Sequence, residues 1–212
     1  MAHFPAGLAL DPSLRVDLGT QERIVYTAER LFIARSVQHV SVNEICAGAG
    51  VLKGSFYHWF SAKEDLARTV IDDIEAGYVE LLDSYEHSAR GPVNKIRATA
   101  EVIGQSQAAL AKTFRRIIGC PLGTISSELA VVEPAVAAHA GAVMARWQER
   151  LAGHCRDAEE VGLLAPGTDP DELARLIMAT MRGMILLSRI DKLPIPVVTA
   201  SMNRVLDTAL RR

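Results

Sequence analysis

The sequence contains few cysteines, and their spacing limits what they can do. Cys46, Cys120 and Cys155 are the three thiols among 212 residues, and they are far apart and odd in number. Disulfide frameworks and structural zinc sites need cysteines in closely spaced pairs or sets. We therefore expect reduced thiols, and we predict neither a bound metal nor a cofactor.

Long apolar runs and an excess of basic charge are also missing. No run approaches the roughly 20 residues that span a bilayer, and no basic segment at the N-terminus precedes a long apolar one. A cytoplasmic location is therefore expected. The net charge is −2, and residues 1–66 contain six basic and seven acidic residues. Bulk charge gives no indication of a nucleic-acid partner.

Alternation of apolar and polar residues with period two, which marks half-buried strands, is missing over any useful length. Apolar residues recur instead at helical spacing, and a hydrophobic content of 49% supports a well-buried core. We predict an all-α chain of about nine helices. It would consist of an N-terminal three-helix head and a larger C-terminal helical domain.

Residues 41–66 contain the most informative pattern. Ser41 followed by Glu44 forms a capping box, in which the serine accepts a hydrogen bond from the third helical N–H and the glutamate reaches back to the cap. A helix is therefore predicted from Val42. Gly50 follows where positive φ is needed, and Val51 supplies an apolar plug between two helices. These features predict a helix-turn-helix.

The second helix of this motif, predicted for residues 52–59, is too short to be stable alone. It carries the polar groups of Lys53, Ser55, Tyr57 and His58 on its different sides. They cannot all be buried, and they suit a DNA groove. A further capping box, Ser61 with Glu64, predicts that another helix begins at once. Lys63 lies in its first turn, where acids are preferred, and we expect this cation to require an external anion.

Residues 42–66, with ICAGAGVLKGSFYHWFSAKEDL from Ile45 onward, resemble the DNA-binding signature of the TetR (tetracycline-repressor-like) family. The resemblance runs without a gap from about Thr20 to Leu66, and beyond it covers only length, helical pattern and the segment 119–129. Three positions depart from the family pattern: Ser36 replaces a glycine, Val37 a frequent aromatic, and Leu52 the Ser or Thr that caps the recognition helix. Loss of that cap costs about 1 kcal/mol.

The resemblance implies a dimeric, ligand-responsive regulator, most simply a repressor released from a palindromic operator by a small molecule. The candidate contacts to base edges are Lys53, Ser55 and His58, and the candidate contacts to phosphates are Ser41, Tyr57 and Lys63. Between them lie Phe56, Trp59 and Phe60, which are expected to pack in the core. Tyr57 is compatible with either role.

The chain divides into three predicted regions. Residues 1–19 lack a helical period and are predicted to be a flexible arm, which is either disordered or reaches DNA through Arg15. Residues 20–66, beginning with Thr20 as a cap, form the predicted DNA-binding domain. Residues 67–212 form the predicted ligand-binding and dimerisation domain, and the helix after Ser61 is expected to connect the two.

The last two helices are candidates for the subunit interface. Both are apolar over a wide face, and small residues such as Ala179 and Gly183 permit close helix contact, so two copies would form a four-helix bundle. The alternative is that both helices close the core of the monomer. The resemblance implies a dimer built in this way and favours the interface.

An apolar effector pocket is predicted among residues 91–155, because they contain more inward-facing residues than a short bundle fills. Its candidate wall groups are Phe114, Met144 and Trp147; a filled core is the alternative. Cys120 lies in a segment that resembles the Gly-Cys stretch of some family members that respond to electrophiles. It is either a sensor, activated by Arg115 and Arg116, or a buried packing residue.

Two other classes of function are compatible with parts of the sequence. A thiol-dependent enzyme would pair Cys120 with His139 or His154, but a nucleophile elbow, a phosphate loop and metal-ligand spacing are missing. A helical adaptor would capture a partner without binding DNA. We predict a regulator without catalytic residues, and Pro121 with Gly123 is expected to interrupt its helical pattern.

Overall fold

The structure, a computed structural model, describes residues 18–211. Within this range the chain forms nine helices: α1 (Thr20–Arg35), α2 (Val42–Ala49), α3 (Lys53–Trp59), α4 (Lys63–Ser88), α5 (Pro92–Phe114), α6 (Pro121–Leu129), α7 (Pro134–Glu160), α8 (Pro170–Ile190) and α9 (Pro196–Ala209). The prediction of an all-α chain of about nine helices is confirmed. Residues 1–17 of the predicted arm, which include Arg15, lie outside the described residues.

The helices pack into two compact units. Unit 1 contains the described residues up to Tyr78 together with Pro121–Val143, and unit 2 contains Val79–Cys120 and the described residues from Met144 onward. Helix α4 contributes to both units, as a connector would. The segment 121–143 belongs to the same unit as the helix-turn-helix, and the functional boundaries at residues 20–66 and 67–212 stay a prediction.

Helix α1 begins and ends differently from the prediction. Its N-cap is Gly19 and not Thr20; the Gly19 N–H donates to Glu22 Oε2 at 2.7 Å. Its C-cap is Ser36, with φ of 120°, a backbone region that favours glycine. Ser36 is held by bonds from its N–H to Phe32 O at 3.0 Å and between its Oγ and His39 Nδ1 at 3.0 Å. Ser36, which stands where the family pattern has a glycine, therefore has a strained backbone that local hydrogen bonds hold in place.

Close packing of α1 against α2 depends on small residues. A Cβ at Gly48 would lie 2.8 Å from Cγ2 of Thr27, which is buried and stiff at χ1. Gly50 ends α2 with φ of 64°, and Val51 N–H returns to Cys46 O at 3.0 Å. The predicted glycine turn of the helix-turn-helix is confirmed.

The expectation that Pro121 and Gly123 interrupt the helical pattern is wrong, because both belong to helix α6. Pro121 is the first residue of the helix, where its missing N–H is harmless, and Gly123 lies inside it. Burial of Leu122, Ile125 and Leu129 along one face compensates for the glycine.

Unit 2 is built around α5, α8 and α9. A Cβ at Gly104 of α5 would lie 2.9 Å from Cγ2 of Thr199 on α9, so this glycine permits close helix contact. The end of the chain is tied to the loop after α7, because Arg211 N–H donates to Leu163 O at 2.8 Å. Apolar residues from the three helices, such as Ile103, Ile177 and Met202, form the buried core.

Candidate DNA-binding surface and effector region

Helix α2 begins with the predicted capping box. Glu44 N–H donates to Ser41 Oγ at 3.2 Å, and Ser41 N–H donates to Glu44 Oε2 at 2.9 Å. Arg35 Nη1 lies 2.5 Å from the other oxygen of Glu44. The Ser41 N–H and the Arg35 guanidinium together lower the pKa of Glu44 to about 2. The start of α2 is therefore held by an ionised carboxylate that also binds the end of α1.

Helix α3 has one buried side and one exposed side. Phe56 is fully buried and Phe60 nearly so, with their ring centroids 5.8 Å apart. Tyr57 is 56% exposed, and Lys53 and His58 are also exposed. The buried rings fix α3 to the head, and the polar side chains are left for a partner.

The expectation that Trp59 packs in the core is wrong, because 45% of the residue is exposed. Its ring meets that of His58 edge-on, at a centroid distance of 5.1 Å. Leu52, the N-cap residue of α3, is 81% exposed. The exposed surface of α3 therefore includes large apolar groups that sequence patterning did not assign to it.

Lys63 has internal partners, contrary to the expectation of an external anion. Its ammonium donates to Val37 O at 2.8 Å and to Val40 O at 3.1 Å. These carbonyls belong to the segment between α1 and α2. Lys63 therefore ties the first turn of α4 to the entrance of the helix-turn-helix.

The second capping box is replaced by a different pair. The Ser61 hydroxyl donates to the carboxylate of Asp65, which also accepts from Arg68 Nη1 at 2.7 Å. The Ser61 hydroxyl is the main cause of the lowered pKa of Asp65. Helix α4 begins at Lys63, one residue later than a cap at Ser61 implies.

A contact within unit 1 that is remote in sequence joins α6 to the segment between α1 and α2. Gln38 N–H donates to Glu128 Oε1 at 2.9 Å, although 90 residues separate them. Beside it lies a cavity of about 180 Å³, whose lining includes Val37, Lys63 and Leu129. The sequence did not indicate this contact between Gln38 and Glu128, because no local pattern joins positions so far apart.

The four predicted effector-binding residues all belong to unit 2 and are half-buried. Phe114 ends α5, and Cys120 immediately precedes α6. Met144 and Trp147 are three residues apart on α7 and so share one side of it. A separate cavity of about 310 Å³ in unit 2 is lined by other residues, among them Arg90, Asn94 and Leu210.

The cysteines differ in exposure. Cys46 and Cys155 are buried, whereas Cys120 is half-buried. Burial raises the pKa of the Cys46 thiol, and burial raises that of Cys155 to about 12. Cys46 is thus the small core residue that the sequence indicated. Both buried thiols stay protonated near neutral pH, and Cys120 is the most accessible of the three.

Charged side chains join the C-terminal part of α4 to α7 within unit 2. Arg150 Nη2 lies 2.6 Å from Asp83 Oδ1 and 2.8 Å from Glu86 Oε2, and His154 Nε2 lies 3.0 Å from Glu86 Oε1. Burial alone would raise the pKa of Glu86, but the bonds from Arg150 and His154 outweigh it and lower that pKa. Helix α4 therefore has ionic contacts near its C-terminus and the Lys63 contacts at its N-terminus.

No group of three or more His, Cys, Asp or Glu side chains among residues 18–211 is arranged to hold a metal ion. Within the same range, the helices are too short or too polar to cross a membrane.

Comparison with known proteins places both parts of the chain in one family. Residues 24–70 match the family described as bacterial regulatory proteins, tetR family, and residues 92–202 match the tetracyclin repressor-like C-terminal domain. The transcriptional regulator AcuR of Cereibacter sphaeroides is 31% identical over 158 residues, which are 74% of this chain and 70% of that protein.

Other relatives and solved structures agree. The HTH-type transcriptional repressor DhaR of a Mycobacterium species is 25% identical over 173 residues, which are 81% of this chain and 83% of the DhaR chain. A TetR transcriptional regulator from Chloroflexus aurantiacus shares the fold with a TM-score of 0.78 and 26% identity, covering 91% of this chain and 96% of that one. The chain therefore belongs to the TetR family and is a DNA-binding, ligand-responsive transcriptional regulator, not an enzyme.

Proposed function

We propose that the chain acts as a homodimeric repressor that holds a palindromic DNA operator and releases it when a small molecule binds. The observation that carries this proposal is the division of α3 into a side buried through Phe56 and Phe60 and an exposed polar side. The name of the mycobacterial relative, a transcriptional repressor, supports the direction of control. A two-fold dimer presents two recognition helices to the major groove, which implies a palindrome.

The proposed base-reading groups are Lys53, Ser55 and His58. Lysine donates to the O6 and N7 atoms of guanine, and serine pairs with several base edges. Tyr57, exposed beside them, is proposed to donate to a phosphate. Ser41 is exposed at the N-terminus of α2, where backbone N–H groups favour an anion, although its hydroxyl is already bonded to Glu44.

Lys63 is proposed to have two roles. Two of its three N–H groups hold the carbonyls of Val37 and Val40, and the third is available to a phosphate. A phosphate contact would then be coupled to the position of the segment between α1 and α2. Movement of α4 would reach the DNA-binding surface through the same side chain.

Selection from a genomic duplex pool with pure protein is expected to enrich a palindrome.

Lys53→Ala should weaken the free energy of binding to this palindrome by about 1–3 kcal/mol and relax the base preference at one position. Lys63→Ala should weaken all duplexes alike, reduce the salt slope by about one, and lower the Tm because two carbonyls lose their donor. Lys112→Ala, at an exposed position of α5, is the matched control. Failure to enrich any palindrome would contradict the DNA proposal.

The exposed face of α8 is the proposed subunit interface. Leu176, Gly183, Leu187 and Ile190 lie on this face at spacings of seven, four and three residues, and the three large side chains are exposed. Apart from Gly183 itself, its chain neighbours and the adjacent backbone of α8, no heavy atom of the described residues lies within 4 Å of the position of a Cβ at Gly183. An apolar stripe around an open glycine suits close packing against the same helix of a second copy.

Leu187→Glu is expected to convert the dimer to monomer at micromolar concentration, because each interface would bury an unpaired charge. Dimerisation should weaken about tenfold or more, and operator affinity should fall with it. Sedimentation velocity and DNA titration measure the two effects. Val131→Glu, at an exposed position in the turn after α6, should leave both unchanged. A Leu187→Glu protein that stays dimeric would exclude this face.

The effector is proposed to bind among Phe114, Cys120, Met144 and Trp147. Three of these side chains are large and apolar, and Cys120 adds a nucleophile to the same unit. Because Met144 and Trp147 share α7 with Arg150 and His154, a ligand that moves this helix would disturb the anchors of α4 at Asp83 and Glu86. The proposed signal therefore runs from α7 to α4 and on to Lys63.

Cys120 is proposed to sense or tune this signal, and its partial exposure supports the proposal. Mild alkylation with iodoacetamide should release DNA from the wild type and leave Cys120→Ser bound. Cys46→Ser and Cys155→Ser are the controls, and both should behave like the wild type because those thiols are buried. Mass spectrometry of the native dimer identifies the modified residue. An unmodified Cys120 would leave it with a packing role only.

A further inference from the structure

Leu52 lies at the start of α3, and no role for its side chain within the protein is seen among residues 18–211. It is the N-cap residue of α3, with an extended backbone (φ −81°, ψ 155°), and it makes no side-chain cap bond. Its backbone carbonyl accepts from Ser55 N–H at 3.0 Å, so the main chain serves as a cap without help from the side chain. The apolar side chain neither completes the helix nor fills the core.

The side chain of Leu52 is 81% exposed, more than that of Tyr57 or Trp59 on the same helix. A leucine gains free energy only when its apolar surface leaves water, so this one gains little in the free protein. It lies beside Lys53, at the end of α3 that enters the groove first in a helix-turn-helix. If α3 enters the major groove, the surface that would cover Leu52 is a base edge.

The major groove offers one prominent apolar group, the C5-methyl of thymine. The polar edges of the other bases would lose hydrogen bonds to water against leucine without gaining new ones. A protein partner covering Leu52 would also cover Lys53 and so compete with DNA. Thymine is therefore favoured over the other bases and over a protein partner.

We propose that Leu52 is a specificity-determining residue that reads a thymine methyl group in each half of the operator. The inference rests on the proposed placement of α3 in the major groove. Where a serine or threonine at this position would cap the helix, this chain exchanges the cap for an apolar contact. The regulator therefore prefers a T·A pair at the base step facing the N-terminus of α3.

The test uses the full-length protein and the enriched duplex, with each thymine replaced in turn by uracil. This replacement deletes the methyl group and leaves every hydrogen-bonding edge intact. At one symmetric position, uracil should weaken wild-type binding about fourfold per half-site, the effect of removing one buried methyl. Leu52→Ala should bind the thymine duplex correspondingly less well and should be indifferent to uracil at that position.

Two further variants separate the possible outcomes. Leu52→Ser restores a capping hydroxyl, so its Tm should equal or exceed that of the wild type while its sensitivity to uracil is lost. Val131→Ala, which shortens an exposed apolar side chain remote in sequence from α3, should keep that sensitivity. Wild-type binding that is unaffected by uracil at every position overturns the inference but leaves the DNA proposal intact. If no duplex binds at all, the proposed function itself has failed.

Discussion

Phe56→Ala is expected to lower the free energy of unfolding by about 3–5 kcal/mol, the usual cost of deleting a buried phenyl ring. Phe56 is fully buried and contacts the rings of Tyr57 and Phe60, at centroid distances of 5.2 and 5.8 Å. Helix α3 has seven residues and is held in place by this packing, because an isolated helix of that length is unstable. Operator binding should therefore be lost together with stability.

Tyr57→Ala is the matched control for that experiment. The residue is adjacent, aromatic and 56% exposed. Its removal should cost at most the edge-on contact with Phe56, about 0.5–1.5 kcal/mol, while operator affinity falls through loss of the proposed phosphate contact. Urea denaturation and DNA titration of both variants give the comparison. Equal stability of Phe56→Ala and wild type would show that α3 is not held by this ring.

Glu29 is expected to make the wild type less stable as pH rises from about 4.5 to about 8. It is 2% exposed, and its Oε2 is buried without a hydrogen-bond partner among the described residues. Burial raises the pKa of Glu29 to about 8 from 4.5; the charge of Asp73 adds to this shift and that of Arg30 opposes it. The native protein therefore holds a proton on Glu29 at neutral pH.

The stability falls with rising pH because the native and unfolded states bind different numbers of protons. Between pH 4.5 and 8 the native state keeps a proton that the unfolded chain has released, so rising pH favours unfolding. The stability associated with the protonated carboxyl is complete below 4.5, and each unit within the window removes up to about 1.4 kcal/mol. Above the native pKa both states are ionised and this dependence ends.

The measurement is the free energy of unfolding in urea from pH 5 to 9. Glu29→Gln should remove most of the slope, because glutamine does not titrate. Asp73→Asn should reduce the slope in part, since one cause of the raised pKa is gone. Glu80→Gln, at an exposed position of α4, should leave the slope unchanged. Parallel curves for wild type and Glu29→Gln would contradict a protonated Glu29 in the native state.

Local signals predicted much of the DNA-binding head. The capping box of Ser41 and Glu44 forms as its spacing indicates, and Gly50 adopts the positive φ that the turn requires. Both depend on residues within a few positions of one another, which fix hydrogen bonds and backbone angles before any tertiary contact forms. The family resemblance, carried by residues 42–66, is confirmed by the family match over residues 24–70.

Contacts between distant segments were decided by the tertiary structure alone. Periodicity assigned Trp59 to the core, yet the limited space around the α3 packing site is taken by Phe56 and Phe60. Charge placement predicted an external anion for Lys63, but folding brings the carbonyls of Val37 and Val40 within reach of its long side chain.

The sequence by itself thus determined the helices, their caps and the family, because these depend on neighbours along the chain. The tertiary structure decided which polar groups are satisfied internally and which remain for a ligand. The link between Gln38 and Glu128, 90 residues apart, and the burial of Glu29 Oε2 without a hydrogen-bond partner among the described residues belong to the second kind. Each depends on how several helices pack around one atom, and burial and hydrogen bonding at that atom have no counterpart in a local pattern.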